Sequence, residues 1–366
     1  MYINKTILKA TLLICTISLQ SCAQSVASNE NKNTQGPNDF PELINANIPG
    51  APKLGKPQLI MGETKPVMGE GMGWAAPAVY DWDNDGKKDL LIGEFDSGLE
   101  NKGVKVGNFC RVYLNKGKDE VPTFNDELSS YANYASGHFN DTNFNGTPLS
   151  IYSWCCFPFI PRFKDLDNDG YTDLLTGQYN PGIITWFRGS EYGFLPSIHL
   201  EEAYEAISSL SQNNSLPITD PKSNMYWNYS AADFGDFDND GDLDMIVGGH
   251  ALRFCENIGT KTTPKFGKRE LLLNEQEQPL KYNIRNVIIP YVVDWDGDGV
   301  LDILTTNEYT KKDYKAITFF RGLKSKKEEL CFEAGIPLFS TKNDKKEFPG
   351  SWLNVCVTDW NNDGVN

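Results

Sequence analysis

One nine-residue pattern recurs along this chain and restricts its fold more than any other feature. It reads DWDNDGKKD at 81–89, DLDNDGYTD at 165–173, DFDNDGDLD at 236–244 and DWDGDGVLD at 294–302, and a shorter DWNNDGVN closes the sequence at 359–366. Start-to-start spacings are 84, 71, 58 and 65 residues, so the unit is a module and not a short tandem repeat. Four carboxylates crowded into nine residues repel one another unless a cation sits among them. Oxygen ligands at positions 1, 3, 5 and 9 with a main-chain carbonyl at 7 wrap a hard cation, and glycine at 6 allows the sharp turn. The candidate carboxylate ligands are Asp81, Asp83, Asp85 and Asp89, then Asp165, Asp167, Asp169 and Asp173. They continue with Asp236, Asp238, Asp240 and Asp244, and with Asp294, Asp296, Asp298 and Asp302. In the short copy they are Asp359, Asn361 and Asp363. The seventh-position carbonyls belong to Lys87, Tyr171, Asp242, Val300 and Val365. Calcium accepts six to eight such oxygens at irregular angles, whereas magnesium asks for a regular octahedron. The expected cofactor is therefore Ca2+, about one per complete loop.

The flanks decide what the loop connects. An EF-hand loop places a bidentate Glu at position 12 at the start of a helix. Here position 12 is Ile92, Thr176, Val247 or Thr305, inside the apolar runs LLIG, LLTG, MIVG and ILTT. Such runs read as buried strands, and APAVY (76–80) or IIPYVV (288–293) before the loops read the same way. A third strand follows, as in CRVYLN (110–115) or ITWFRG (184–189), and a fourth is marked by PTF (122–124) or PKFGK (264–268). Four strands per unit describe β-propeller blades. The strand–DxDxDGxxD–strand unit resembles the FG-GAP/VCBS repeat family over residues 52–366. That resemblance implies an all-β propeller of four-stranded blades, with about five blades represented here. It also implies seven or eight blades in a complete ring, because the sequence stops inside the fifth loop.

The N-terminus reads as an address. Lys5 and Lys9 precede an apolar stretch from Ala10 to Leu19, and LQSC ends at Cys22. This is a secretory signal over residues 1–21, too short to span a bilayer as a helix. LQSC resembles a bacterial lipobox, which implies lipidation of Cys22 and an exported, membrane-anchored protein at the outer membrane or cell surface. Residues 22–51 are polar and Asn-rich, and are expected to be a flexible tether. Export permits disulfides among Cys110, Cys155, Cys156, Cys255, Cys331 and Cys356, but their spacing selects no pairing.

Function is less specified. A net charge of −15, from 34 basic and 49 acidic residues, argues against nucleic acid as a partner. In propellers of the resembled family, integrin-like ones included, the ligand surface lies away from the calcium loops. Aligning the repeats places Glu94, Gln178, Tyr179, His250, Asn307 and Glu308 on that opposite face, with Trp74, Tyr229 and Trp352 seven residues before their loops. Carboxylates, amides and aromatic plates suit a polysaccharide, since rings stack while polar groups fix hydroxyls. The same aromatics would also serve as packing between blades. The expected function is thus a calcium-stabilised, lipid-anchored module binding a glycan or a surface protein. The alternative is a polysaccharide lyase in which His250, Tyr179 and Arg253 act on a uronate. No nucleophile elbow, phosphate loop or zincin pattern appears, and the reading without chemistry is favoured. Residues 126–152 and a helical pattern over 200–210 are expected excursions from the scaffold.

Overall fold

The computed structural model describes residues 9–10, 12–14, 40–68, 75–95, 108–151, 157–178, 182–200, 230–249, 251–281, 287–307, 317–324, 330–341 and 354–363. Among these there is no helix. Each acidic loop joins the two innermost strands of an antiparallel sheet. In the first blade, Ala76–Tyr80 pairs with Asp89–Gly93, which pairs with Asn108–Tyr113, and Ser130–Tyr131 lies outside. Ser150–Ile151 adds to the other end of that third strand. The second blade is Arg162–Lys164, Asp173–Gly177, Ile184–Phe187 and Ile198–His199. The third is Ala232–Gly235, Asp244–Val247, Arg253–Cys255 and Glu270–Leu271. The fourth is Ile288–Val293, Asp302–Asn307, Ile317–Phe320 and Ile336–Pro337. Four-stranded blades in chain order make a β-propeller.

The apolar runs after each loop have a clear reason. Side chains alternate across a strand, and both sides of a blade face another blade. Leu91 packs toward the second blade beside Phe159, Leu174 and Phe187, while Leu90 and Ile92 pack the other way with Tyr113, Phe124 and Trp360. Leu174 and Leu175 split likewise between two layers, as do Met245 and Ile246, and Ile303 and Leu304. Each fully buried aliphatic side chain contributes about 1.5–3 kcal/mol. The second loop residue closes each layer at the loop face: Leu166 and Trp295 are buried, and Trp82 stacks on Phe194 at 5.8 Å. Trp360 meets Phe124 edge-on at 6.0 Å.

Near the axis the blades touch backbone to backbone. The fourth residue after the ninth-position Asp is Gly93, Gly177 or Gly248. A Cβ there would overlap the carbonyl oxygen of Phe159, Ser230 or Ile288, each at the start of the next blade. The innermost strands are also tied by polar groups. Arg162 lies 3.6 Å from Asp233 and donates to the Pro290 carbonyl at 2.9 Å. Asp233 accepts the Val292 N–H at 2.7 Å, and Tyr291 donates its hydroxyl to the Val357 carbonyl at 2.8 Å. Apolar side chains form one buried cluster where these strands begin: Ala76, Phe157, Ile160, Ala231, Val287 and Ile289.

The strand Val355–Val357 of the fifth repeat packs between the innermost strands of the fourth and first blades. Its antiparallel partner is Leu12–Ile14, within the segment expected to be a signal. Leu43–Asn45, in the stretch expected to be a tether, pairs with Phe339–Thr341, and Ile48 and Leu54 pack on Trp295. The apolar residues of 43–54 find a core there that their polar neighbours did not foretell. Residues 126–151 form the excursion expected in the first unit, with Tyr134, Leu149 and Ile151 buried against the second blade. Of the helical pattern at 200–210 only Leu200 is described; the rest of it, Cys155, Cys156 and Cys22 lie outside the described residues. Among the described residues Cys110, Cys331 and Cys356 are in no disulfide, and Cys110, Cys255 and Cys356 are buried.

Candidate metal centres

The loops share one construction. The ninth-position Asp is buried and accepts two main-chain N–H groups. Asp89 takes Trp82 at 2.8 Å and Asn115 at 2.7 Å, and Asp173 takes Leu166 at 2.9 Å and Gly189 at 2.7 Å. Asp244 takes Phe237 at 3.1 Å and Asn257 at 2.9 Å, and Asp302 takes Trp295 at 2.8 Å and Gly322 at 2.8 Å. This residue therefore ties the loop to the end of the third strand. The first-position Asp organises the turn itself. Asp81 accepts from Asp85 and Gly86 at 3.1 and 3.0 Å, Asp165 from Asp169 and Gly170 at 3.1 and 3.0 Å, and Asp294 from Asp298 and Gly299 at 3.1 and 2.9 Å. The short fifth copy repeats this, with Asp363 donating to Asp359 at 3.1 Å and Asn361 to Asp363 at 2.9 Å. Val365 lies outside the described residues.

Position 4 carries a signal that the carboxylate pattern does not use. Asn84, Asn168, Asn239 and Asn362 have φ of 58°, 51°, 64° and 56°, and Gly297 has 72°. Left-handed backbone favours Gly, then Asn. The position-6 glycines share that region, Gly241 at 93° for example.

Carboxylate oxygens converge in all four complete loops. Asp81, Asp83 and Asp85 bring one oxygen each within 4.8 Å of the others, as do Asp236, Asp238 and Asp240. In the second and fourth loops the converging sets are Asp165, Asp167 and Asp173, and Asp294, Asp296 and Asp302. The cluster interior is short of partners. Asp167 Oδ1, Asp236 Oδ1 and Asp296 Oδ1 are buried without a hydrogen bond, and so is Oδ1 of Asp242, which lies in the third loop but outside its converging set. Buried polar atoms are ordinarily paired, and an oxygen-only set with open lone pairs fits a hard cation. Burial raises the carboxyls of Asp173 and Asp244 to about 6 and that of Asp302 to about 7. Burial also pushes Asp167, Asp242 and Asp296 up, with neighbouring aspartates adding to it. Asp85 is held low, chiefly by its hydrogen bond from Lys87.

The expected ligand face is placed only in part. Glu94 is buried and receives Arg111 Nε at 2.6 Å, also buried, so its carboxylate is engaged inside the blade and not offered to solvent. Gln178 is buried as well. Asn307 ends a second strand opposite Ile288. Trp74, Tyr179, Tyr229, His250, Glu308 and Trp352 lie outside the described residues. Arg253 is buried in a third strand, where burial and then Arg269 disfavour its charge.

A family model described as FG-GAP-like repeat matches residues 165–247, which span the second loop to the second strand of the third blade. Among curated proteins none matches. A solved structure titled as the recognition of non-reducing terminal N-acetylglucosamine by an Agrocybe aegerita lectin is similar at 14% identity and a TM-score of 0.35. The alignment covers 75% of this chain and 57% of that one, so the chain spans little more than half the length of that protein.

Proposed function

We propose that this β-propeller, matched over residues 165–247 by a family model described as FG-GAP-like repeat, is a calcium-stabilised binding module without chemistry of its own. Its ligand is a polysaccharide or a surface protein, met on the face opposite the acidic loops, and lipid on Cys22 holds it at a membrane after export. The observation that carries the cation reading is the convergence of carboxylates in all four complete loops, with buried, unpartnered carboxylate oxygens in the second, third and fourth. The carboxylates at positions 1, 3, 5 and 9 would hold the ion, with the seventh-position carbonyl. The ninth-position Asp also couples the loop to the end of the third strand. Bound calcium supplies the positive charge these clusters lack, and it stabilises the folded state by mass action.

Binding without catalysis is supported by the placement of the polar groups. Glu94 is paired inside the first blade, and the described starts of the innermost strands are packed with apolar side chains. Differential scanning calorimetry of the purified chain tests the cation reading, since EDTA should lower Tm and added calcium restore it. An identical Tm in both would refute it. Retention on a glycan array, with no rise in ultraviolet absorbance on incubation with acidic polysaccharides, is the expected result for a binder. New unsaturated ends would overturn that in favour of a lyase.

A further inference from the structure

The four complete loops occupy matching places in their blades yet carry different built-in charge. Asn115, Gly189, Asn257 and Gly322 all donate to the ninth-position Asp, which fixes a common register. The residues just before them are Leu114, Arg188, Glu256 and Arg321. Arg188 Nε lies 2.6 Å from Asp167 Oδ2 and its Nη2 3.1 Å from Asp169 Oδ2, so one guanidinium spans positions 3 and 5. Arg321 Nη2 lies 2.7 Å from Asp296 Oδ2, again at position 3. These are the two loops whose converging oxygens come from positions 1, 3 and 9 instead of 1, 3 and 5. In the first loop Lys87 is ion-paired with Asp85 from within the loop. No basic side chain is ion-paired with the third loop among the described residues. That loop adds a fifth carboxylate, Asp242, which is 8% exposed and has an unpartnered Oδ1.

We propose that the loops are graded cation seats: the 236–244 loop is the tightest, and Arg188 and Arg321 are resident counter-cations that weaken the second and fourth. This rests on the cation reading above. Ligand charge count tunes the affinity of oxygen sites for calcium. A guanidinium on two of the carboxylates removes ligands and repels the incoming ion, so the ion must displace it. The arginines also neutralise their clusters when the ion is absent. At limiting calcium the third loop fills first, and the second and fourth fill last.

Calcium titration of the full chain by isothermal calorimetry, with equilibrium dialysis to count bound ions, tests the grading. The expected isotherm has at least two classes of site. Arg188→Gln and Arg321→Gln should each tighten one member of the weak class by about tenfold or more, the scale of removing one unit charge a few ångströms away. Arg188→Lys, which keeps the charge, should leave that site weak. Asp240→Asn should abolish the tight class and spare the others. One class of equal sites, unmoved by both glutamine variants, overturns the grading while leaving the cation reading intact. No bound calcium in the wild-type chain removes the cation reading itself. Arg188 is about half exposed, so its variants are expected to fold even if Asp240→Asn does not.

Discussion

Gly177→Ala is a sharp test of how the blades meet. Gly177 ends the second strand of the second blade, where a Cβ would overlap the Ser230 carbonyl oxygen and press on Ser230 C and Ala231 Cα. All three atoms are backbone, so no rotamer change relieves the overlap and the third blade must shift. Its backbone φ is not in the left-handed region, which leaves sterics as the cause. Overpacking of this kind costs about 1–3 kcal/mol, and the rigid neighbour places it near 3. For a chain of 366 residues each kcal/mol lowers Tm by about 1.3 °C, giving a fall of about 4 °C. Gly55→Ala is the control, because nothing lies within 4 Å of the point where its Cβ would sit. Calorimetry of both variants at saturating calcium reads the difference. A Gly177→Ala protein within about 2 °C of wild type, with Gly55→Ala equally unaffected, would refute backbone contact between those blades.

Other expectations follow from the same geometry. Glu94→Ala removes the carboxylate paired with the buried Arg111 guanidinium and should cost about 3–5 kcal/mol by urea unfolding; a loss under about 1 kcal/mol would mean that solvent reaches the pair. Asp244→Ala removes the acceptor of the Phe237 and Asn257 N–H groups and should cost about 2–4 kcal/mol even in EDTA, where no lost cation can account for it. The pH dependence should reverse with calcium. Asp173, Asp244 and Asp302 have folded values raised to about 6, 6 and 7, so the folded, cation-free chain binds more protons than the unfolded one. Their contribution is present near pH 4 and is lost as pH rises through about 7. In EDTA, Tm should therefore rise on going from pH 8 to pH 5.5. In saturating calcium it should fall, because protons then compete with the ion. A fall in both conditions would contradict the assigned shifts.

The loops and their flanking strands are legible in the sequence because each is local. Acidic residues at alternate positions, glycine at 6 and an apolar run after 9 are all read within twenty residues. Position 4 is equally local, since its Asn or Gly answers to the left-handed backbone at Asn84 or Gly297. Contacts between strands are not legible. Nothing near Asp167 announces that Arg188 will reach it, and nothing near Glu94 announces Arg111, because pairing register decides both. Distance from the loop alone puts Glu94 on the ligand face, but that distance fixes its place along the strand and not its partner. The close approaches at Gly93, Gly177 and Gly248 depend on the following blade, whose first strand begins dozens of residues later.

Those three glycines give the molecule a radial gradient of tolerance. At the hub, even one added methyl group collides with a neighbour's main chain, so substitution there is nearly forbidden. Outward along each sheet the strands shorten to two residues, as at Ser130–Tyr131 and Glu270–Leu271, and side chains come into contact with water. Substitution is therefore expected to be tolerated best at the periphery and in insertions such as residues 126–151, and least at the three hub glycines.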